Sequence, residues 1–201
     1  MLNLKLKKLV ITGGLSCGKS TVCRIFQTLG AYVISADEIV HQLLSPDTQL
    51  GQQVIELIGS DILKNGCIDR SAIAMKVFRD RELLSKLENL IHPVVRTEIE
   101  KKYQEISKKG TYTLFVAEIP LYFEKGLRDF DATLTVLADE TTSQDRFTKS
   151  TGLDREEYQR RMRRQLSPQE KANLSDYVIV NNGSLHVLED QVKSIFNQLG
   201  V

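Results

Sequence analysis

Residues 13–20 read Gly13-Gly14-Leu15-Ser16-Cys17-Gly18-Lys19-Ser20, which places glycines, a lysine and a hydroxyl at the spacing G-x-x-x-x-G-K-[ST]. Residues of these types at this spacing hold phosphate. The glycines let the backbone turn its N–H groups inward around phosphate oxygens, Lys19 reaches β- and γ-phosphates as a point charge, and Ser20 supplies a hydroxyl for Mg²⁺. The segment therefore predicts a loop that binds a nucleoside triphosphate.

Other residues carry chemistry further along. Asp37, Glu118 and Glu124 follow apolar runs, and phosphoryl transfer to an alcohol needs a carboxylate to orient the hydroxyl and accept its proton, with another near Mg²⁺. Asp37 suits the first role, with a helix N-cap as the lesser alternative for an aspartate there. Glu118 suits the second, or else pairs with a lysine at a strand end. Seven basic residues, Arg146, Lys149, Arg155, Arg160, Arg161, Arg163 and Arg164, crowd into nineteen positions. Glu156 with Arg160 and Glu157 with Arg161 form i,i+4 pairs worth about 0.2–0.5 kcal/mol each. Arg163 and Arg164 have no acid four positions earlier, so the cluster reads either as a lid that closes over transferring phosphates or as a solvated basic helix. His92-Pro93 reads as structural, and Asn181-Asn182-Gly183 as a tight turn placed where an asparagine can reach a bound base. Cys17 lies in the loop at a helix N-terminus, where a thiol becomes more acidic, so its oxidation would block nucleotide binding if it is more than a small residue that fits.

These residues need elements to position them. Leu9-Val10-Ile11 reads as a buried parallel strand before the loop, and Val22, Ile25, Phe26 and Leu29 line one face of a helix that ends at Gly30. That helix aims its N-terminus at the phosphates. Further strands are predicted at Ala31–Ser35, Thr113–Ala117, Ala132–Leu137 and Tyr177–Val180. Five strands alternating with helices predict an α/β fold with a parallel sheet covered on both faces. About seventy residues between the second and third strands exceed a normal crossover and read as an inserted helical subdomain. Its helices are predicted at Thr48–Ile58, at Ser71–Phe78, and from Arg81 towards Ile106 with an interruption at Pro93.

Composition narrows the partners. The chain has 201 residues, net charge +1 and three cysteines, Cys17, Cys23 and Cys67, without metal-ligand spacing. One α/β domain with an insert fits that length. There is no global field for nucleic acid, no apolar run near the roughly 18 residues of a membrane span, and no signal-peptide order at residues 1–8. The expected location is cytoplasmic and reducing, with no nucleic-acid or membrane partner.

Taken together and in order, these motifs resemble the dephospho-coenzyme A kinases over almost the whole chain. The carriers are Thr12-Gly13-Gly14 with Gly18-Lys19-Ser20-Thr21, Leu29-Gly30-Ala31 leading to Asp37, His92-Pro93, Pro120-Leu121-Tyr122-Phe123-Glu124, Arg146, Arg164-Gln165, and the closing Asp176-Tyr177-Val178-Ile179-Val180-Asn181-Asn182-Gly183. The resemblance implies a single P-loop kinase domain over residues 1–201, with a helical acceptor-binding insert at about 46–108 and a lid at about 142–168. It implies transfer of the γ-phosphoryl group of ATP to the ribose 3′-hydroxyl of dephospho-coenzyme A, with Mg²⁺, as the last step of coenzyme A synthesis. Asp37, Lys19 and Arg146 would be catalytic, with Asp37 the base. ATP would meet Gly13, Gly14, Ser16, Cys17, Gly18, Lys19, Ser20, Thr21, Arg164 and Asn182. The acceptor would meet Asp37, His92, Pro120 and Leu121, and Ser20 would bind the metal. A monomer or weak homo-oligomer is expected. The chain departs from the family in having Leu15-Ser16-Cys17 where Ile-Gly-Ser is common, Ser35 where an acid often stands, and Lys149-Ser150 near a second lid arginine.

Other readings remain open on the residues alone. A different small-molecule kinase of the same fold would use the same ATP-handling residues and differ in the acceptor insert. A GTP-dependent switch would need an Asn-Lys-x-Asp segment, which does not occur in this sequence. A nucleic-acid motor is disfavoured by the near-neutral charge and the short chain.

Overall fold

Leu9, Val10 and Ile11 are all fully buried, as a strand covered on both faces requires. In the computed structural model, which describes residues 6–77 and 80–201, they lie in β1 (Lys7–Gly13) at the centre of a five-stranded sheet. The sheet order is β2 (Tyr32–Ser35), β5 (Leu114–Glu118), β1, β6 (Ala132–Leu137), β7 (Tyr177–Val180), and every neighbouring pair is parallel. The predicted runs thus become the five strands, Ala132–Leu137 and Tyr177–Val180 with the expected bounds and the other three with shifted ends. The first extends beyond Leu9–Ile11 in both directions, and the third moves on to include Glu118, which pairs in register with Ile11.

Two compact units make up the chain, one of residues 1–35 and 105–201 and the other of residues 36–104. In the first, helix α1 (Lys19–Thr28) buries Val22, Ile25 and Phe26 against the sheet, in a core with Leu134, Ile179 and Val192. Leu29 closes the helix and Gly30 follows at φ +95°. Helices α6 (Glu140–Thr151), α7 (Arg155–Met162), α8 (Pro168–Leu174) and α9 (Leu185–Gln198) complete this unit. At the sheet edge, the Gln191 side chain donates to Val180 O and accepts from Val180 N, and so covers outward-facing backbone of β7.

The second unit holds α2 (Ala36–Leu43), α3 (Gln49–Ile58), α4 (Arg70–Val77) and most of α5 (Arg81–Lys109). Its core joins Leu50, Val54, Ile58, Ile62, Ile73 and Leu87. Thr48 caps α3 by accepting a hydrogen bond from Gly51 N. Between α3 and α4 stands a hairpin that the helical reading of this block missed, β3 (Leu63–Lys64) against β4 (Cys67–Ile68). Asn65 and Gly66 turn it with positive φ at both positions, as two-residue hairpins require. The predicted helix end at Phe78 and residues 1–5 of the signal-peptide reading lie outside the described residues.

The break expected at Pro93 does not occur. Helix α5 runs through it as one 29-residue element. A helical proline forfeits one backbone hydrogen bond, and burial of Leu87, Val95 and Ile99 on either side outweighs that loss.

Candidate active site

The phosphate loop leaves β1 at Gly13 and ends in α1, and its two tightest positions admit no side chain. A Cβ on Gly13 (φ +145°) would stand 2.4 Å from Val136 O on the neighbouring strand. A Cβ on Gly18 (φ +100°) would stand 2.1 Å from Asn181 Nδ2. Gly18 is also the N-cap of α1 and makes no side-chain bond to its first turn, which leaves that end of the helix for an anion. Ser16 adopts φ +51°, a left-handed conformation that costs a residue with a Cβ.

Lys19 is buried, with Nζ donating to Gly14 O at 2.7 Å and lying 3.4 Å from Gly13 O. Ser20 Oγ donates to Glu118 Oε1 at 3.2 Å, so a hydroxyl and a carboxylate meet at the carboxyl ends of β1 and β5. Two hard oxygens side by side suit Mg²⁺, which takes one or two protein oxygens and the rest from phosphates and water. Among the described residues no group of three or more His, Cys, Asp or Glu could hold a metal.

Asn181 follows β7 and is buried, with Nδ2 donating to Cys17 O at 2.9 Å. Arg146 on α6 reaches Asn181 O with both terminal nitrogens at 3.4 Å. A chain of contacts thus joins Arg146, Asn181 and the loop. The family resemblance points to Asn182, but its Oδ1 accepts from Asp139 N at 2.8 Å and its side chain is exposed. Successive residues at a strand end face opposite ways, and Asn181 is the one turned inward.

The basic cluster divides by partner. Glu157, buried on α7, binds Arg161 Nε at 2.7 Å and also takes Arg160, which therefore turns to Glu157 rather than to the expected Glu156. Arg161 lies over the Phe147 ring at 5.6 Å. Arg163, by contrast, lines a cleft of about 630 Å³ together with Gly14, Leu15, Tyr158, Met162 and Gln165. Burial raises the pKa of Tyr158 in that wall. Arg164 is exposed.

Two residues carry weight that the sequence reading did not assign to them. Lys171 on α8 is fully buried, and its Nζ donates to Pro120 O at 2.8 Å and pairs with Glu124 Oε1 at 2.9 Å. Glu124, one of the three acids proposed for chemistry, is thereby engaged as a counter-ion. Burial pushes the Lys171 pKa down, and Glu124 pulls it back up. A lysine in Ser-Pro-Gln-Glu-Lys gives no local sign of burial, because its partners come from distant strand ends.

Asp37 and His92 belong to the second unit. Asp37 is exposed in the first turn of α2, one residue inside the helix and so not its N-cap. His92 is half-buried on α5. Cys17 and Cys23 are buried, and Cys67 is exposed.

Comparison with known proteins places this geometry in a family. The model for the family described as Dephospho-CoA kinase matches residues 8–186. A protein of that description from Protochlamydia amoebophila (strain UWE25) is 48% identical over 200 residues, covering 98% of each chain. Among solved structures, one from Thermus thermophilus superposes with TM-score 0.82 at 31% identity, over 96% of this chain and 97% of that one. A dephospho-CoA kinase from Campylobacter jejuni does so with TM-score 0.64 at 25% identity and the same coverage.

Proposed function

The chain belongs to the dephospho-CoA kinase family, and from that premise we propose that it transfers the γ-phosphoryl group of ATP to the ribose 3′-hydroxyl of dephospho-coenzyme A, yielding coenzyme A and ADP. It is a kinase of coenzyme A biosynthesis. The observation that carries this reading is the family match over residues 8–186; the loop geometry supports the ATP half independently.

Loop N–H groups and the first turn of α1 receive the phosphates, while Lys19 exchanges its bond to Gly14 O for β- and γ-phosphate oxygens. Ser20, with Glu118 beside it, would hold Mg²⁺, which would supply positive charge to the β- and γ-phosphates. Arg146, steadied by Asn181 O, adds positive charge where the transferring group passes. Asp37 orients the acceptor hydroxyl and takes its proton as the oxygen–phosphorus bond forms and the bond to the ADP oxygen breaks. His92, Pro120 and Leu121 are assigned to the acceptor, and Arg164 to ATP, by likeness to the family. Asn181, whose amide already closes on the loop, is preferred to Asn182 for contact with the nucleotide. The remaining loop residues, Gly13, Gly14, Ser16, Cys17, Gly18 and Thr21, line the triphosphate. The same reading gives a cytoplasmic enzyme, a monomer or weak homo-oligomer, in which residues 142–168 act as the lid. No described helix is long and apolar enough to cross a membrane.

The test is ADP release from ATP and Mg²⁺ with dephospho-coenzyme A, adenosine, AMP or gluconate as acceptor, with phosphorus NMR of the product. Turnover with dephospho-coenzyme A alone and a new 3′-phosphomonoester signal are the expected results. Turnover with a different acceptor would discard the substrate and keep the ATP site.

A further inference from the structure

We infer that Lys171 is a positioning residue that ties the root of the lid to the floor of the phosphate loop, an inference that rests on the kinase reading above. Few lysines are buried outright, because removing an ammonium from water is costly without several acceptors. Lys171 is 0% exposed, and its partners come from three separate segments. Nζ donates to Pro120 O at 2.8 Å beyond β5, approaches Gly13 O at 3.5 Å at the start of the loop, and reaches Gln165 Oε1 at 3.3 Å after α7. Its counter-ion, Glu124, uses the same Oε1 to accept from Leu166 N at 2.9 Å.

One buried ammonium and one carboxylate therefore join the loop, the end of β5 and the segment by which the arginine-bearing helix α7 returns to α8. Lys19 and Lys171 also share an acceptor, Gly13 O. When Lys19 turns to phosphate, Lys171, its charge balanced by Glu124, still holds that carbonyl. Neither role requires Lys171 to touch a substrate. Both make the geometry at the γ-phosphate depend on it, and a misplacement there is felt in rate.

The test uses the full chain with Lys171→Met and Lys171→Arg. Melting by circular dichroism reports the fold, calorimetry with ATP and Mg²⁺ reports nucleotide affinity, and steady-state kinetics give kcat and KM for both substrates. For folded Lys171→Met, kcat/KM for ATP should fall on the order of 10- to 100-fold while KM for dephospho-coenzyme A stays close to the parent value. Lys171→Arg, which keeps the charge but not the point-like donor geometry, should lie between the two. A Lys171→Met protein that melts lower yet binds and turns over ATP like the parent would reduce the residue to a structural ion pair and overturn the inference, as would equal losses for the two substrates. If Lys171→Met does not fold, Lys171→Arg decides: weakened ATP binding in a folded protein supports the inference, and parental ATP affinity overturns it. Because the ATP-affinity arm involves no acceptor, a parent protein inactive on dephospho-coenzyme A would remove that substrate and leave this arm to be read.

Discussion

Asp37 stands two residues after β2, in the first turn of α2, and its assigned task is to accept one proton. Asp37→Asn keeps shape and hydrogen bonding but removes basicity, so kcat should fall by about 10²- to 10⁴-fold with ATP affinity nearly unchanged, as calorimetry and steady-state kinetics would show. Equal loss of binding and turnover would remove the base assignment. Ser16 poses the opposite case. It holds φ +51° with a Cβ, so Ser16→Gly removes strain from the loop. After the extra chain entropy of glycine is subtracted, a gain of up to about 1 kcal/mol is expected, read as a higher melting temperature. Weaker ATP binding by that variant would show instead that the Ser16 hydroxyl serves the phosphates.

Helix α8 roots the segment after α7, and its start is fastened by a capping box between Ser167 and Glu170. The Ser167 side chain first, and its backbone N–H second, hold the Glu170 carboxyl below its ordinary value of 4.5. A lowered folded-state pKa means that this support is complete above the ordinary value and is lost as pH falls through the lowered one. Amide chemical shifts at residues 168–170 should therefore titrate with a midpoint below the ordinary carboxyl value of 4.5, and Glu170→Gln should abolish that titration. Elements of this kind differed in how plainly the sequence announced them. The five strands were legible as β-branched apolar runs, and α1 from the spacing of Val22, Ile25 and Phe26. The β3–β4 hairpin carried its Asn65-Gly66 turn in plain view, but two-residue strands leave no alternation to read. Pro93 suggested a break because local rules count the lost hydrogen bond and not the buried side chains around it. The turn from β1 into α1, which carries Lys19 and Ser20, was legible because its geometry is local. The burial of Lys171, and of Asn181 next to an exposed Asn182, was not, since each is decided by which distant segments lie across from it.

At the scale of the molecule, the sheet ends at β7 with Val178 and Val180 exposed, an edge suited to unwanted pairing. The two Gln191 hydrogen bonds occupy Val180 N and O. Gln191→Ala should free that edge and raise the apparent mass at high concentration in light scattering, while activity at low concentration stays at the parent level. The strand that carries the phosphate loop lies at the opposite extreme. It is the middle strand of five, bonded on both sides and buried on both faces. In amide hydrogen exchange, residues 9–12 should exchange only through global unfolding, and edge residues of β7 well before them. The nucleotide site is thus mounted on a central strand buried on both faces, and partial unfolding at the sheet edge would leave its anchor in place.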